Sequence, residues 1–456
     1  MALLSINPTT GKEIKAYPEY SQNLVKKILD SSSITQMKWS TTDLKFRLDC
    51  LKRISEILMD KKREYALIIS EEMGKPLKQA EGEVGKCAWL CEYYFENSKE
   101  YLLDKNIDIS GQKSFVTFQP IGLVLGVMPW NFPFWQVFRF AIPNVTVGNG
   151  AILKHASNVQ GSAFAIEACF NDAGFPKNIF RNITVNSKAV ADIIDNSKIS
   201  AVTITGSTPA GRSVAATAGR ALKKTVLELG GSDPYIILDD ADINIAISSC
   251  INGRILNTGQ SCIAAKRIIV TQSIHDNFLK NIEQKLSEKI MGDPMDDVDI
   301  GPMVSIQARN EVHDQVLSSI NDGAILHLGG FIPKSRGAFY PITLLSNVTP
   351  GMVAFDEEIF GPVFTIIRAQ DEENAIVLGN LTPFGLGAAI FTKDIEKGEE
   401  IAKFRLNAGA CFVNDFVKSD PRLPFGGIKD SGYGRELAIN GMMEFVNVKT
   451  VVVKDS

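Results

Sequence analysis

Histidine is scarce in this chain of 456 residues: four, at positions 155, 275, 313 and 327, none near another. No Cys or His is grouped at zinc-ligand spacing, so no metal centre is expected. Cysteines number seven, at 50, 87, 91, 169, 250, 262 and 411. An odd, scattered set argues against a disulfide framework and for a reducing, cytoplasmic compartment. Cys87 and Cys91 lie one helical turn apart in a stretch that reads as helix, where packing accounts for them. An excess of one charge is also missing. Lys and Arg total 48 against 52 Asp and Glu, leaving −4, and no basic run could serve as an arm for nucleic acid, which is therefore not an expected partner. No apolar stretch reaches the ~20 residues of a membrane span. The opening MALLSINPTTGKEI lacks the basic-then-apolar order of a secretory leader. Neither an internal repeat nor a low-complexity linker is present.

What is there is a long chain with 45% apolar residues, enough for two or three domains with large cores. The first hundred residues read mainly as helix, with apolar residues at helical spacing among Lys, Arg and Glu from 45 to 73. SFVTFQPIGLVLGVM then reads as two strands separated by a turn at Pro120 and Gly122. Strands and helices alternate from there: AILKH, NIFRNITV, SAVTITG and KTVLELGG are strands with helices between them. That order implies right-handed βαβ units and a Rossmann-like parallel sheet. A second alternating series begins near Pro234 and includes YIILDD, RIIVTQ, GAILHLGG, VFTIIRA, AAIFTK and ACFVND. The chain closes on FVNVKTVVVK, an alternating strand with nothing after it to cover its edge. Such a strand often pairs across a subunit boundary.

Four segments carry candidate chemistry. NTGQSC at 257–262 sets Cys262 in a small-residue turn where a ligand can approach closely. Alone, a Cys in such a turn is more often structural than nucleophilic. LELGG at 227–231 ends a buried strand with Glu228, either a strand-end carboxylate that meets solvent or caps a helix, or a base of raised pKa that activates water. PWNFP at 129–133 holds Asn131 in a turn made rigid by two prolines. It is either a helix cap or an oxyanion donor. GSTPAG at 206–211 lies between strand and helix, where free amides favour a phosphate, although a glycine turn alone is weak evidence.

Together with Lys154, EEIFGP at 357–362 and PFGGIKDSGYGRE at 424–436, these segments resemble the aldehyde dehydrogenase superfamily, in order and over nearly the whole chain. The resemblance implies an α/β fold: a Rossmann-like cofactor domain, an α/β catalytic domain and a β-arm for oligomerisation. Their expected extents are 1–101 with 121–230, then 231–430, then 102–120 with 431–456. It implies a homodimer or homotetramer. By the same resemblance Cys262 is the nucleophile, and Asn131 with the Cys262 amide is the oxyanion hole. Glu228 is the base for the deacylating water. Lys154 holds the cofactor ribose and Glu358 the nicotinamide ribose. Gly206 and Ser207 approach the pyrophosphate, and Trp130, Leu229 and Phe360 line the cofactor site. A thioester then forms on Cys262 and is hydrolysed. A CoA-acylating relative typically lacks the base at Glu228, and a catalytically silent relative usually loses a functional residue; none is lost here.

Cofactor and substrate preference follow from neighbouring residues. Many NAD-preferring relatives have Glu where this chain has Ser157. A serine neither repels nor crowds a 2′-phosphate, so NADP is expected, with NAD as the alternative. The competing reading makes Ser157 the N-cap of the next helix. Arg139, on an otherwise apolar helix face, implies a buried anion partner: a substrate carboxylate or a salt bridge inside the fold. WQVFRF, NTGQSCIAAKR and SDPR are similar to the succinate-semialdehyde dehydrogenase branch, in which an arginine and a serine grip the substrate carboxylate. That resemblance assigns substrate binding to Arg139, Ser261, Ser419 and Arg422, and a small aldehyde bearing a carboxylate as substrate.

Overall fold

The computed structural model describes residues 2–109 and 112–454; positions 110–111 of the expected arm, the first residue and the last two lie outside it. Four helices dominate the first hundred residues, as the apolar spacing predicts: α1 (Gln22–Trp39), α2 (Leu44–Asp60), α3 (Lys62–Met73) and α4 (Leu77–Tyr101). A hairpin, Ala2–Ile6 with Glu13–Pro18, precedes them. Its second strand is exposed along almost its whole length, so no alternation marked it in the sequence. On α4 the buried positions Ala80, Glu83, Val84, Cys87, Leu90, Cys91 and Tyr94 recur at helical spacing, and both cysteines are packed into the core. The next helix, α5 (Trp135–Val147), is buried at all thirteen positions. A helix enclosed on every side loses its amphipathic signal.

The first sheet has six strands. Five are parallel, in the order Lys224–Glu228, Ile199–Thr205, Leu123–Met128, Gly150–His155, Phe180–Asn182; Gly432–Tyr433 adds an antiparallel edge beside Lys224–Glu228. Buried on both faces, its strands read as continuous apolar runs. One face packs on α2 to α6, the last being Gln160–Asp172, and the other on α1 and the helix Val190–Asp195. The second sheet has seven strands, centred on Val363–Ala369, Ala265–Thr271, Asp233–Ile237 and Gly387–Phe391, all parallel to their neighbours. Only the outermost, Ile325–Leu328, is antiparallel to the strand beside it.

The arm is a three-stranded sheet of Lys105–Asn106, Lys113–Pro120 and Val446–Val453. The last strand pairs with Lys113–Pro120 of its own chain along eight residues, so one of its edges is covered within the chain. Its other edge carries no strand among the described residues. The expected boundary at 431 is also shifted. Gly432–Tyr433 returns to the first sheet, and the helix Ala438–Met443 packs against α5. Only the final strand joins the arm. Among the described residues no helix is long and apolar enough to cross a membrane.

Candidate active site

Each motif of the first sheet emerges at the carboxyl end of a parallel strand. Leu123–Met128 runs into 129–133, Gly150–His155 towards Ser157, Ile199–Thr205 into Gly206 and Ser207, and Lys224–Glu228 into 229–231. Open parallel sheets bind ligands at that edge. The loop bearing Cys262 comes from the other domain, between the helix Ile243–Ile255 and the strand Ala265–Thr271. It is locked against the first. Asn257 Nδ2 donates to the Asn131 carbonyl at 2.7 Å, and the Asn257 amide donates to Gln79 Oε1 at 2.8 Å. The Val304 amide donates to Gln260 Oε1 at 2.9 Å. Asn257 and Thr258 both adopt left-handed backbone (φ 55° each), followed by Gly259 at φ 75°. A Cβ on Gly259 would lie 2.2 Å from the Gly361 carbonyl oxygen, so only glycine lets the loop meet the EEIFGP segment.

Cys262 stands between two cavities. One, of about 270 Å³, is lined by Trp130, Asn131, Gly206, Ser207, Leu229, Glu358 and Phe360. The other, of about 250 Å³, has Phe132, Trp135, Phe416 and Phe425 in its walls, with Lys86, Arg139, Ser261 and Ser419. Gln136 and Cys262 belong to both. Burial pushes the Cys262 thiol up to about 12, against the pull of Lys266 and Arg139. The sequence reading missed Lys266. Its ammonium donates to the carbonyls of Ser261 (2.9 Å) and Cys262 (2.6 Å) and pairs with Glu358 at 2.9 Å. It therefore ties the nucleophile's loop to the residue expected at the nicotinamide ribose. A lysine inside the apolar strand Ala265–Thr271 was the available signal.

Asn131 caps no helix. Helix α5 begins after it, and the first amides, of Phe134 and Trp135, donate to Glu83 Oε1 of α4 at 2.9 and 3.0 Å. Glu83 is in turn paired with the buried Lys75, whose ammonium lies 3.9 Å from the centre of the Phe132 ring. Asn131 is held at both ends: Nδ2 donates to the Gln260 carbonyl and Oδ1 accepts from Gln136, each at 3.0 Å. Of its two amide N–H groups, one is engaged by Gln260. His155, buried beneath this loop, bonds the Pro133 carbonyl at 2.9 Å and is held neutral, down at about 4, by burial.

Glu228 neither meets solvent nor caps a helix. It is buried, and among the described residues neither carboxyl oxygen has a hydrogen-bond partner. Burial, then the nearby Glu436 carboxylate, push its pKa well above the usual range, while Arg139 and Arg435 pull it down. For Arg139 the structure gives the internal ion pair: Nε lies 2.6 Å from Glu436 Oε2, with both groups buried. The guanidinium also sits over the Phe425 ring at 4.6 Å and reaches the cavity wall. Arg422 is elsewhere, contrary to expectation. Its side chain is two-thirds exposed, bonded to Asp420 at 2.7–2.9 Å and stacked on Trp89, outside the cavity. Within the SDPR segment Arg422 bonds back to Asp420 through both its amide and its guanidinium, which turns its side chain outward. Ser419 does face the cavity and accepts from Lys86 Nζ at 2.8 Å.

Ser157 is not a helix cap either; helix α6 begins after Val159, with no side-chain cap bond. Lys154 is buried, and burial lowers its pKa. Neither is in the wall of the 270 Å³ cavity; they stand further along the same strand-end edge, with Lys154 beside Val127. The helix Thr208–Arg220 starts at Ser207 without a side-chain cap, leaving its first amides available to an anion.

Residues 2–451 match the model of the aldehyde dehydrogenase family. The chain is 42% identical over 449 residues to a succinate semialdehyde dehydrogenase of Escherichia coli named for use of NAD(P)+, covering 98% of this chain and 97% of that one. It is 40% identical to the NADP+-named succinate-semialdehyde dehydrogenase of Deinococcus radiodurans, over 98% and 94% of the two chains. Its fold superposes with a TM-score of 0.97 on the succinic semialdehyde dehydrogenase of Streptococcus pyogenes solved with NADP+, at 35% identity and full coverage of both chains.

Proposed function

The chain belongs to the aldehyde dehydrogenase family, and from that premise we propose that it oxidises succinate semialdehyde to succinate with NADP+, through a thioester on Cys262. The observation that carries this reading is a thiol set between two cavities. One is lined by the strand-end motifs. The other is small and aromatic, with cationic side chains in its wall. Its 250 Å³ is below the roughly 300–1,000 Å³ of drug-sized sites, which suits a four-carbon substrate. The names of the relatives support the same substrate and cofactor.

The residues present fit NADP+. Gly206, Ser207 and the uncapped helix start would take the pyrophosphate. Glu358 would take the nicotinamide ribose, with Trp130, Leu229 and Phe360 around it. Lys154, a buried ammonium with no carboxylate partner among the described residues, would take the adenosine ribose. With Ser157 nearby it would tolerate a 2′-phosphate. When bound, NADP+ supplies the acceptor for the hydride that leaves the substrate carbon. The chain's own residues do the rest. Cys262 passes its proton to Glu228, which releases it to solvent, and the thiolate adds to the aldehyde carbonyl, forming a C–S bond as the C=O π bond opens to an alkoxide. The resulting alkoxide is held by the second N–H of Asn131 and the Cys262 amide. After oxidation the acyl group remains on the sulfur as a thioester. Glu228 then takes a proton from water, hydroxide adds to the thioester, and the C–S bond breaks to release the acid and the thiolate.

The seven free cysteines suit a reducing cytoplasm. The open edge of Val446–Val453 suits pairing with a second copy, as a homodimer or homotetramer. The test is an aldehyde panel with both cofactors. Succinate semialdehyde with NADP+ should give the highest kcat/KM. An equal or better value for butanal would remove the substrate assignment, and a better value with NAD+ would remove the cofactor assignment.

A further inference from the structure

The cavity beside Cys262 contains two cations, and they are not equivalent. Arg139 has a carboxylate beside it: its Nε lies 2.6 Å from Glu436 Oε2, and both groups are buried. Lys86 has no ion-pair partner among the described residues. It projects from α4 into the cavity wall, where its ammonium donates to Ser419 Oγ at 2.8 Å and lies 4.4 Å from the centre of the Trp135 ring. The acidic groups around it are engaged. On its own helix, Glu83 is paired with Lys75 and accepts the Phe134 and Trp135 amides. On the facing loop, Asp420 is bonded to Arg422 through both oxygens. What remains is a neutral thiol, Cys87, one further cation on α5, Arg139, and the exposed Lys418. Burial and the Arg139 charge draw the Lys86 ammonium down to about 8. The pocket is therefore short of one negative charge.

A half-buried ammonium held by a hydroxyl and an aromatic face, in the wall that also holds the nucleophile, is a receptor for an anionic group on the substrate. Resting on the reading above, we propose that Lys86, with Ser419, binds the substrate carboxylate and is the residue that selects carboxylate-bearing aldehydes over neutral ones. Arg139 also acts on the charge of the buried Glu228–Glu436 pair beside it. A carboxylate placed against Lys86 takes one hydrogen bond from its ammonium and another from the Ser419 hydroxyl. It also restores the missing charge. A neutral aldehyde of the same length leaves the ammonium desolvated and unpaired, so discrimination comes from that penalty as much as from the new contact.

The test compares kcat/KM for succinate semialdehyde and butanal, at saturating NADP+, in the wild type, Lys86→Met, Lys86→Arg, Ser419→Ala and, as an exposed neighbouring control, Arg422→Ala. In Lys86→Met the ratio of the two values should fall on the order of 100-fold, the loss typical of removing one partner of a desolvated charge pair. Most of that change should lie in KM for succinate semialdehyde. Lys86→Arg should restore at least a tenth of the ratio, Ser419→Ala should lower it about tenfold, and Arg422→Ala should keep it. A wild type without a preference for succinate semialdehyde would sink the substrate assignment itself. A wild-type preference that persists in Lys86→Met would overturn the role of Lys86 alone. If Lys86→Met fails to fold, an unchanged ratio in Ser419→Ala overturns it equally.

Discussion

Replacing Asn131 by Ala removes a side chain with a worked-out set of contacts. The amide bonds Gln260 and Gln136 at 3.0 Å each, and one of its two N–H groups is engaged by Gln260. Losing a preorganised oxyanion donor costs roughly 2.7–4 kcal/mol in the transition state, a 10²–10³-fold drop in kcat. The two ground-state bonds have a separate consequence. Gln136 Nε2 and the Gln260 carbonyl lose a partner in a buried site, costing about 1–3 kcal/mol of stability. The Gln260 carbonyl still accepts from Asn257 at 3.1 Å, which places the cost toward the lower end. The kinetic effect should exceed anything that loosening of the loop explains. The assay is steady-state and stopped-flow NADPH formation, with denaturant unfolding alongside. The expected result is a collapse of kcat and of the pre-steady-state burst, with KM changed less than threefold, because the donor acts on charge that develops only in the transition state. A kcat within threefold of wild type, or a loss confined to KM, would refute the oxyanion role.

Glu228→Gln should stop turnover at the thioester: a burst of NADPH persists, while the steady-state rate falls on the order of 10²–10⁴-fold. Because the folded-state pKa of Glu228 is raised above its ordinary 4.5, its proton stabilises the fold at low pH and that contribution is lost as pH rises. The variant should therefore gain stability relative to wild type as pH increases; denaturation midpoints measured across that range should diverge, and parallel curves would contradict the burial argument. In Ser157→Glu a carboxylate near the 2′-phosphate should lower kcat/KM for NADP+ by on the order of 10–100-fold and favour NAD+. An unchanged ratio would place the phosphate elsewhere. Lys75→Met leaves Glu83 a buried carboxylate without its cation, which should cost about 3–5 kcal/mol in urea unfolding. It should also lower kcat, since Glu83 seats the first turn of α5.

Much of the fold was legible because it is written in local pattern. The alternation of strands and helices after residue 113 predicts both parallel sheets, and the spacing on α4 is that of its buried face. The hairpin at 2–18 was not legible: its first strand buries Leu3 and Ser5 while exposing Leu4 and Ile6, so polarity does not follow burial, and its second strand is almost wholly exposed. The return of Gly432–Tyr433 to the first sheet was equally hidden, because a two-residue strand has no period. In the site, Cys262, Asn131 and the strand-end glycines stand in contiguous motifs. The residues missed were Lys86, Lys75, Glu83, Lys266 and Glu436. Their meaning depends on groups that folding brings together: Glu83 holds the Phe134 and Trp135 amides, Lys266 pairs with Glu358, Glu436 with Arg139, and Lys86 meets Ser419.

The order of residues alone determined which groups could do chemistry, because a thiol in a glycine turn, a carboxylate at a strand end and an amide between prolines are local facts. Only the tertiary structure decided which charges are spent inside the protein and which are left over. Arg139 and Arg422 read alike in the sequence, yet one is buried against Glu436 and the other is turned out to Asp420. Lys86, unremarkable on the helix, is left without a counter-ion. The reason is physical. A charge's energy depends on the dielectric and the neighbours around it, and folding sets both by bringing together segments that the chain keeps hundreds of residues apart.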